Sequence, residues 1–455
     1  MRFLHHSHMI RILIPVIFLI GAAQATNEES GLTLDKIGLQ GYAFWQFGQI
    51  VKGVDYLDPI DHQWTNNALL GFSISARPSE RLRLVISPEF YINYPFPESP
   101  NKPETVRPFG VSYINEADGI FSFGDLDQPA VELALGMFSY KYNHDAKHLG
   151  EYLFRTGTYP TYVFTDFDFP KARLLGLKIS SEAISNLHAD LLLTSEAIMY
   201  PLYDFSLSGI ADYTLLNAFE IGAGVDFARL FSVVSKKTSP KLTQTFRPAG
   251  FSEYIKENGD TGFYSFKATK VMTRASFDPK VFFGSPEFFG KEDLKFFGEV
   301  MWIDPLGGYK EADSTALGYP AYYSDLKRRT LSMFGFNFPA FTLLDIIAVE
   351  FEYFPSMLPD DYYKVEQFFV PIPRIDVITE YNPDDYKANT WKWSVYTKRN
   401  IINGFSITAL FSRDHLRTTY WNGARQSYSC MSTISPLTQN KGGYWHWELK
   451  MGYSF

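Results

Sequence analysis

The end of the chain decides the fold, because residues 444–455 read YWHWELKMGYSF. Every second residue is apolar: Trp445, Trp447, Leu449, Met451, Tyr453 and Phe455. The intervening residues are mostly polar: Tyr444, His446, Glu448, Lys450, Gly452 and Ser454. Successive side chains of a strand point to opposite faces, so this segment predicts a strand with one face for lipid and one for water. Alternation alone is also found in strands of soluble antiparallel sheets.

Composition excludes several other classes of protein. The chain has 455 residues, a formal charge of −8, 45% hydrophobic and 17% aromatic residues, and a single cysteine, Cys430. An acidic balance disfavours nucleic-acid binding, and one cysteine excludes a disulfide scaffold. The 41 Phe and 29 Tyr residues exclude a disordered chain. We therefore expect a folded, aromatic-rich protein with no nucleic-acid partner.

The first 25 residues have the features of a secretory signal peptide. Arg2 and Arg11 supply positive charge, residues 12–20 are an apolar run interrupted by Pro15, and residues 23–25 (Ala-Gln-Ala) form a small-x-small cleavage site. We then expect residues 26–37 to be a short N-terminal lead and residues 38–455 to form the folded part of the chain. The signal predicts export.

No later segment approaches the ~18 to 20 consecutive apolar residues that a membrane-spanning helix needs. Together, the signal, the alternation and the terminal Phe455 resemble the Gram-negative outer-membrane β-barrel proteins, and specifically the porin-like family. The resemblance implies location in the bacterial outer membrane and contact with its lipid and lipopolysaccharide. It also implies that Phe455 is the assembly signal recognised by the barrel-assembly machinery.

The same alternation recurs upstream, for example where Phe219, Ile221 and Ala223 alternate with Glu220 and Gly222. Counting such segments predicts one transmembrane antiparallel barrel of about 16 strands, with long outer loops and short periplasmic turns. The predicted strands begin near Gly38, Ala68, Arg81, Pro108, Ala130, Lys171, Leu187, Phe205, Phe219, Thr261, Leu294, Arg328, Leu343, Ala388, Gly404 and Tyr444.

An even strand number, with both termini on the periplasmic side, agrees with the predicted turns at residues 77–80, 182–186, 339–342 and 400–403. Residues 278–293 are a longer periplasmic connection and the place where one hairpin could be miscounted. Pro88 within a strand predicts a bulge or an edge, and the apolar phase slips between Ala268 and Val271, which predicts a second bulge.

Sixteen strands predict a channel, since barrels of this size leave an aqueous lumen. In porins the loop after the fifth strand folds inward and narrows the lumen, and residues 141–170 occupy that place here. Leu149, Tyr152, Leu153 and Phe154 lie at helical spacing within it. The predicted pore constriction consists of Lys141, Asp145, Lys147, His148, Glu151 and Arg155. The predicted pore wall consists of Arg83, Glu89, Lys178, Asp190, Glu220 and Asp226.

The solutes expected for such a pore are small and hydrophilic, because charges of both signs favour polar over apolar molecules. Sugars are one candidate class, since aromatic rings offer apolar faces to pyranoses. The inner-face candidates are Tyr42, Phe44, Tyr91, Phe138, Tyr140 and Tyr396. The alternative is that most aromatics form the two interfacial girdles of a membrane barrel, and Trp391, Trp393, Trp445 and Trp447 are assigned there.

Metal and enzymatic interpretations are weaker. His144, His148 and Glu151 have a spacing that could place three zinc ligands on one helix face, but a polar loop often shows it by chance. Ser412, Asp414 and His415 are close in sequence, but strand alternation places Asp414 and His415 on opposite faces, which disfavours a catalytic role for this pair. The acidic outer loops, with Asp55, Asp58, Asp61, Asp360, Asp361, Asp384 and Asp385, could bind divalent cations. No catalytic residue, resident metal or cofactor is expected.

Three functional hypotheses remain open. The first is an outer-membrane porin-like channel for passive diffusion, without enzymatic activity. The second is a plugged barrel with a structural or adhesive surface role, in which residues 231–260 and 354–387 fill the lumen. The third is an outer-membrane hydrolase whose nucleophile and base come from different strands. The resemblance also implies a homotrimer, which would need an outward apolar patch that this sequence does not identify.

Overall fold

The structure is a computed structural model that describes the barrel strands and parts of the connections between them. The described residues are 37–52, 64–94, 109–154, 172–195, 205–231, 253–255, 261–263, 268–283, 289–303, 305, 326–353, 391–413, 418–419, 433–434 and 445–455. The proposed signal peptide, most of the N-terminal lead and Cys430 lie outside them, as do the acidic loop residues considered for cation binding. No helix among the described residues is long and apolar enough to cross a membrane.

Sixteen strands form one closed antiparallel barrel. They are β1 (Ile37–Lys52), β2 (Trp64–Ser79), β3 (Leu82–Tyr94), β4 (Phe109–Gly124), β5 (Pro129–Tyr140), β6 (Ala172–Ile184), β7 (Leu187–Ser195), β8 (Phe205–Leu215), β9 (Phe219–Phe231), β12 (Ala268–Phe277), β13 (Phe296–Ile303), β14 (Thr330–Asn337), β15 (Ile346–Tyr353), β16 (Trp391–Ile402), β17 (Phe405–Arg413) and β20 (Trp445–Ser454). Two short hairpins lie in the connections between barrel strands: β10 (Glu253–Ile255) with β11 (Thr261–Phe263), and β18 (Thr418–Thr419) with β19 (Thr433–Ile434).

The predicted fold and the predicted count of sixteen are therefore confirmed, with one strand misplaced. The strand expected near Thr261 begins at Ala268, because residues 261–263 pair with residues 253–255 in a hairpin outside the barrel ladder. Each barrel strand pairs with its sequence neighbour in the barrel, and β20 closes the cylinder against β1. Such closure leaves no unpaired sheet edge. A lipid environment requires this, because it offers no partners for unpaired backbone groups.

Burial follows the predicted alternation clearly in β13, β15 and β20. In β20, His446, Glu448 and Lys450 point inward and are buried, whereas Trp445 is 38% exposed on the outside. Glu299 and Glu350 are likewise inward on β13 and β15. Aromatic rings contact one another along the outer surface, as Phe334 and Phe351 do at 5.1 Å. Apolar side chains outside and polar ones inside match a bilayer around a polar lumen.

The closing seam of the barrel depends on a small residue. The backbone of Phe455 exchanges two hydrogen bonds of 2.8 Å with the backbone of Gly41 on β1. A Cβ at Gly41 would lie 2.2 Å from the Phe455 ring, so the ring occupies the space that glycine leaves empty. Phe455 also packs edge-on against Phe72. Phe455 thus continues the backbone pairing between β20 and β1.

The two predicted bulges and the long connection at residues 278–293 had different outcomes. The β3–β4 ladder shifts register at Pro88, which confirms the predicted bulge. The bulge predicted between Ala268 and Val271 is wrong, since β12 pairs with β9 without a shift and Lys270 takes the inward position opposite Asp226. The long connection after β12 contains no barrel hairpin in its described part, and it includes a 3-10 helix at Pro279–Phe282.

Candidate functional site: the lumen and its inner loop

The segment after β5 turns back into the barrel. We call residues 141–154 the inner loop. Tyr142, Leu149 and Leu153 are each no more than 3% exposed, in a cluster with inward side chains of several barrel strands, including Ile210 on β8 and Met301 on β13. A loop that begins at the outer end of the barrel can bury these residues only by entering the lumen. The infolding implied by the family resemblance is therefore seen in the structure.

The inner loop is not the helix that its spacing suggested. Residues 141–154 consist of bends and turns, with Gly150 at φ 86° and Glu151 at φ 63°. Both residues are in left-handed backbone conformations, which interrupt a right-handed helix. Gly150 also faces Met333 on β14, where a Cβ would approach the Met333 side chain to 2.5 Å. The apolar residues at positions 149 and 152–154 pack on the wall instead.

Glu299 on β13 is the first of two carboxylates that hold the inner loop. One oxygen accepts bonds from the Tyr142 hydroxyl (2.6 Å) and the Tyr152 backbone N–H (2.8 Å). The other accepts the Asn143 side-chain amide (2.9 Å) and the Glu151 backbone N–H (3.0 Å). Glu299 is 1% exposed. A buried carboxylate with four donors is fully satisfied, and hydrogen bonds to a charged acceptor are the strong ones.

Glu350 on β15 is the second carboxylate. It accepts three consecutive backbone N–H groups, from Lys147 (2.5 Å), His148 (3.0 Å) and Leu149 (2.7 Å), and the Ser394 hydroxyl at 3.2 Å. Its side chain has no exposed surface. Successive N–H groups that converge on one anion form the backbone arrangement called a nest. Here the loop supplies the nest and the barrel wall supplies the anion.

The upper part of the inner loop is fixed by three further bonds. Tyr152 donates to Glu352 at 2.8 Å, Lys270 donates to the Leu153 carbonyl at 2.9 Å, and the Leu153 N–H donates to the Tyr142 hydroxyl at 2.9 Å. Burial and the negative charge of Glu299 raise the pKa of Tyr142, which keeps its hydroxyl protonated as a donor. Loop and wall thus form one packed unit.

The lower end of the inner loop meets the periplasmic connection between β12 and β13 through four charged side chains. Lys295 lies 3.3 Å from Asp145 and 3.1 Å from Glu292, and Lys147 lies 3.4 Å from Glu292. We call Asp145, Lys147, Glu292 and Lys295 the ion-pair quartet. Their side chains are 12–25% exposed, so only a small part of each side chain is open to solvent. The inner loop consequently extends from the outer end of the barrel to its periplasmic end.

The titration of the quartet reflects this pairing. Burial alone would raise the pKa of Asp145, but Lys295, a Ser276 hydrogen bond and Lys147 together lower it below its ordinary value. Burial would also raise the pKa of Glu292, but the positive charges of Lys147 and Lys295 outweigh this effect and lower it. Asp145 and Glu292 raise the pKa of Lys295 against the effect of burial. All three charges are therefore stabilised in the folded protein.

These directions predict an acid-sensitive contribution to stability. A carboxyl group with a lowered pKa stabilises the folded state above its ordinary pKa and loses that contribution as the pH falls through its folded value. We expect Asp145→Asn to lower the free energy of unfolding by about 1 kcal/mol at neutral pH. Once the pH has fallen below the lowered pKa of Asp145 in the folded protein, the variant and the parent should be equally stable, because the carboxyl group is then protonated. Urea titrations of both proteins in detergent at several pH values measure this difference, and a difference that persists unchanged in acid would contradict the assignment.

The predicted constriction residues divide into two groups in the structure. Lys141 and Lys147 are half-buried beside the lumen, while Asp145, His148 and Glu151 are buried. Glu151 accepts a hydrogen bond from the Asn143 backbone within the loop itself. Arg155 lies outside the described residues. The acids of the loop therefore face the wall or the loop interior rather than the open lumen, which alternation and spacing could not show.

The predicted wall residues all lie at inward positions of the ladder. Glu89, Asp190 and Asp226 are buried there, Arg83 is exposed, and Lys178 and Glu220 are intermediate. Several are already bonded within the wall. The partners are Tyr42 for Glu89, Tyr140 and His188 for Asp190, Ser208 for Asp226, and Arg274 for Glu220. Their contribution to solute passage stays a prediction.

Sequence reasoning missed the two carboxylates that hold the loop. Alternation along β15 is consistent with inward positions for Glu350 and Glu352, but the sequence pattern assigns neither of them, nor Glu299 on β13, to the loop. Neighbouring inward acids on β15 were the one available signal. Buried acids need several donors, so two acids on one lumen face already indicate that something must cover them.

The inner-face aromatics are largely covered by the protein itself. Tyr91, Phe138, Tyr140 and Tyr396 are each 7% exposed or less. Tyr140 contacts the Phe154 ring at 5.3 Å, and the half-buried Phe44 ring is covered by Lys450 at 4.4 Å. A sugar slide needs open ring faces, so these contacts do not favour one. Sugar passage stays a prediction.

The metal hypothesis receives no support from geometry. Within the described residues, no three His, Cys, Asp or Glu side chains lie close enough together to hold a metal ion. His144 is exposed, whereas His148 and Glu151 are buried on the other side of the loop. The Asp414 and His415 pair considered for hydrolysis lies outside the described residues.

The lumen that remains is bounded by polar wall on the side away from these loop contacts. The described contacts of the inner loop fall on β5–β8 and β12–β15. On β3 and β4, by contrast, Arg83 is exposed and Glu116 and Asp118 are intermediate. A polar half-lumen beside an anchored loop is the arrangement expected of a narrowed aqueous pore.

A closed sixteen-stranded barrel with an infolded third outer loop defines the porin fold, and comparison with solved structures agrees. OprB of Pseudomonas putida is 8% identical over 93% of this chain and 95% of its own, with a TM-score of 0.50. The outer membrane channel DcaP of Acinetobacter baumannii (10% identity, 94% and 99% coverage, TM-score 0.44) and OmpF of Salmonella typhi (8%, 94% and 98%, 0.45) are also similar. No protein-family model and no curated protein matches the sequence. The chain has the fold of outer-membrane porins.

Proposed function

We propose that this protein is a passive channel of the Gram-negative outer membrane for small hydrophilic solutes. The observation that carries the proposal is the asymmetric filling of a closed sixteen-stranded barrel. The inner loop covers one side of the lumen, while inward polar groups on β3 and β4 remain accessible to water. A barrel of this size is wider than its own side chains can fill. The apolar outer face matches a surrounding bilayer.

In this proposal the inward side chains serve the passage of solutes and not a chemical reaction. The buried acids Glu299, Glu350 and Glu352 are engaged with the inner loop, so they are structural in this proposal. The expected solutes are polar, because the accessible groups Arg83, Glu116 and Asp118 carry both signs of charge. Residues of the lumen then act through charge and size rather than through bond chemistry.

Planar bilayers test the proposal directly. Purified, folded protein should insert in steps, each step adding a constant increment of current at fixed voltage. Heat-denatured protein at the same concentration is the control, and it should add none. Absence of current from folded protein would favour the plugged barrel. Swelling of proteoliposomes in small sugars and in larger polyethylene glycols then gives the size limit of the pore.

A further inference from the structure

The barrel is shorter on one side than on the other. β20 has 10 residues and β1 and β2 have 16 each, whereas β13, β14 and β15 have 8 each, the fewest of the described barrel strands. At a rise of about 3.4 Å per residue and a tilt of ~35 to 45°, eight residues cover about 19 to 22 Å across the membrane and ten cover about 24 to 28 Å. The apolar band of an outer-membrane barrel is about 25 Å tall. The strands β13–β15 alone therefore fall short of it.

On this short side the outward residues also place the apolar band close to the periplasm. Trp302 on β13 and Tyr353 on β15, whose ring contacts Trp391 at 4.8 Å, mark the outer interface, because Trp and Tyr favour the boundary between lipid and water. Between them, β14 turns the polar residues Thr330 and Ser332 outward. The apolar residues follow towards the periplasm: Phe334 and Phe336 on β14, and Phe338 just after it. Lipid beside β14 must therefore reach the periplasmic end of the strand.

A row of phenylalanine rings joins this end of the barrel to the periplasmic connection after β12. Phe219 on β9 stacks on Phe277 on β12 at 4.5 Å, and Phe296 on β13 contacts Phe336 on β14 at 4.5 Å. The two pairs meet where Phe277 and Phe296 are 6.3 Å apart. The connection adds Phe282, whose ring lies 6.2 Å from Phe277 and 6.3 Å from Phe219. The 3-10 helix of the connection thus packs on the lipid-facing side of the barrel.

The end of this 3-10 helix presents bare apolar side chains. Val281, Phe282 and Phe283 are 43%, 56% and 66% exposed, and we call these three residues the apolar tip. The sequence of residues 281–286 is VFFGSP, which contains no charge. Exposed apolar surface that continues a lipid-facing surface indicates an interaction with an apolar partner.

The apolar tip is held in place from its other side. Lys280 is only 5% exposed, and its ammonium group donates to the Asp293 carbonyl and lies 3.1 Å from the Asp278 carboxylate. The Asp278 N–H in turn donates to the Ala218 carbonyl of the β8–β9 turn at 2.8 Å. One polar residue therefore faces the protein while the three residues that follow it face away. The tip is a fixed projection of the barrel end.

We propose that the apolar tip inserts among the phospholipid acyl chains of the periplasmic leaflet and completes the hydrophobic span beside β13 and β14. Its occupant is lipid rather than protein because the tip is continuous, through the ring of Phe282, with rings that face the bilayer. A bilayer that met only the short strands would have to thin on this side, which costs free energy. Insertion of the tip is independent of conduction, so it can be measured without any current.

Fluorescence quenching tests the insertion. In a Cys430→Ser background, Phe283→Cys and a control, Leu126→Cys, each carry an environment-sensitive fluorophore. Leu126 is 43% exposed on the periplasmic β4–β5 turn, between the exposed acids Asp125 and Asp127, so its label should remain in water. In phosphatidylcholine vesicles with spin-labelled acyl chains, we expect at least about 3-fold stronger quenching at position 283 than at position 126, because interfacial segments enter the acyl boundary by about 5 to 10 Å. Iodide in the water should quench the two labels in the opposite order.

Bilayer thickness gives a second measurement. Phe283→Ser removes apolar surface from the tip and leaves the ring contacts of Phe282 in place, and Leu126→Ser is the matched control. In thin bilayers both variants should fold to the same fraction as the parent, as judged by migration of the unheated proteins on gels. In thick bilayers we expect the folded fraction of Phe283→Ser to fall by about 2-fold, because the uncovered span grows with thickness, while Leu126→Ser should match the parent.

Three outcomes would overturn the proposal. The first is equal quenching of the two labels by spin-labelled acyl chains. The second is a label at position 283 that is shielded from iodide and yet not quenched by lipid, because another protein surface, such as a second copy of this chain, would then cover the tip. The third is a folding defect of Phe283→Ser that is the same in thin and thick bilayers, since that result would assign Phe283 to packing within the protein.

Discussion

Replacing Glu350 with alanine is expected to lower the free energy of unfolding by roughly 3 to 6 kcal/mol. The change leaves the N–H groups of Lys147, His148 and Leu149 in a dry site without their acceptor. Each buried donor that loses its partner costs about 1 to 3 kcal/mol, and bonds to a charged acceptor are at the upper end. The loop cannot easily offer these groups to water while its apolar residues remain packed, because Leu149 is fully buried beside them.

The matched control is Glu132→Ala on β5. Glu132 is also an inward acid, but it is only partly buried and accepts the Ser122 hydroxyl at 3.2 Å. Its loss should cost no more than about 1 kcal/mol. Urea unfolding in detergent gives both values, and protease cleavage within residues 141–154 should appear for Glu350→Ala alone. Equal losses for the two variants would show that Glu350 is not a structural anchor.

Glu350 also shows where sequence reasoning stopped. Its inward position followed from alternation, a local property that neighbouring residues reveal. Its partners lie about 200 residues away in the chain. A carboxylate that binds backbone N–H groups leaves no trace in the identity of those partners, since every residue except proline has an N–H group. The sequence could therefore indicate only that an inward Glu350 needs hydrogen-bond donors, and not which residues supply them.

The strands illustrate the same difference between local and distant information. Trp445 to Phe455 and Phe219 to Phe227 were placed on the correct faces because alternation with a period of two is carried by the residues themselves. Thr261 was assigned to the barrel because a short loop hairpin has the same local pattern as a spanning strand. The loop helix expected around Leu149 failed for a related reason: the apolar spacing reflects packing on a curved wall, and Gly150 and Glu151 have positive φ angles.

Glycines facing close backbone are a further feature that pattern reasoning did not weigh, and Gly136 on β5 gives the second large expected effect. Its φ angle is 132°, and a Cβ there would lie 2.2 Å from the Ala117 carbonyl oxygen on β4. L-residues rarely adopt this conformation, and the obstructing atom belongs to a neighbouring strand rather than to a flexible side chain. The ladder itself would have to separate between Asp118 and Gly136.

We therefore expect Gly136→Ala to lower the free energy of unfolding by roughly 2 to 4 kcal/mol and to slow assembly into the folded barrel. Gly209→Ala is the control, because Gly209 lies on β8 with no atom within 4 Å of an added Cβ. That variant should stay within about 0.5 kcal/mol of the parent, since a methyl group in open space meets no neighbour and alanine restricts the unfolded chain. Urea unfolding and the fraction of unheated protein that migrates as folded barrel measure both variants. Equal stability of Gly136→Ala and Gly209→Ala would contradict a role for the backbone contact at Gly136, because strand propensity alone would affect the two positions alike.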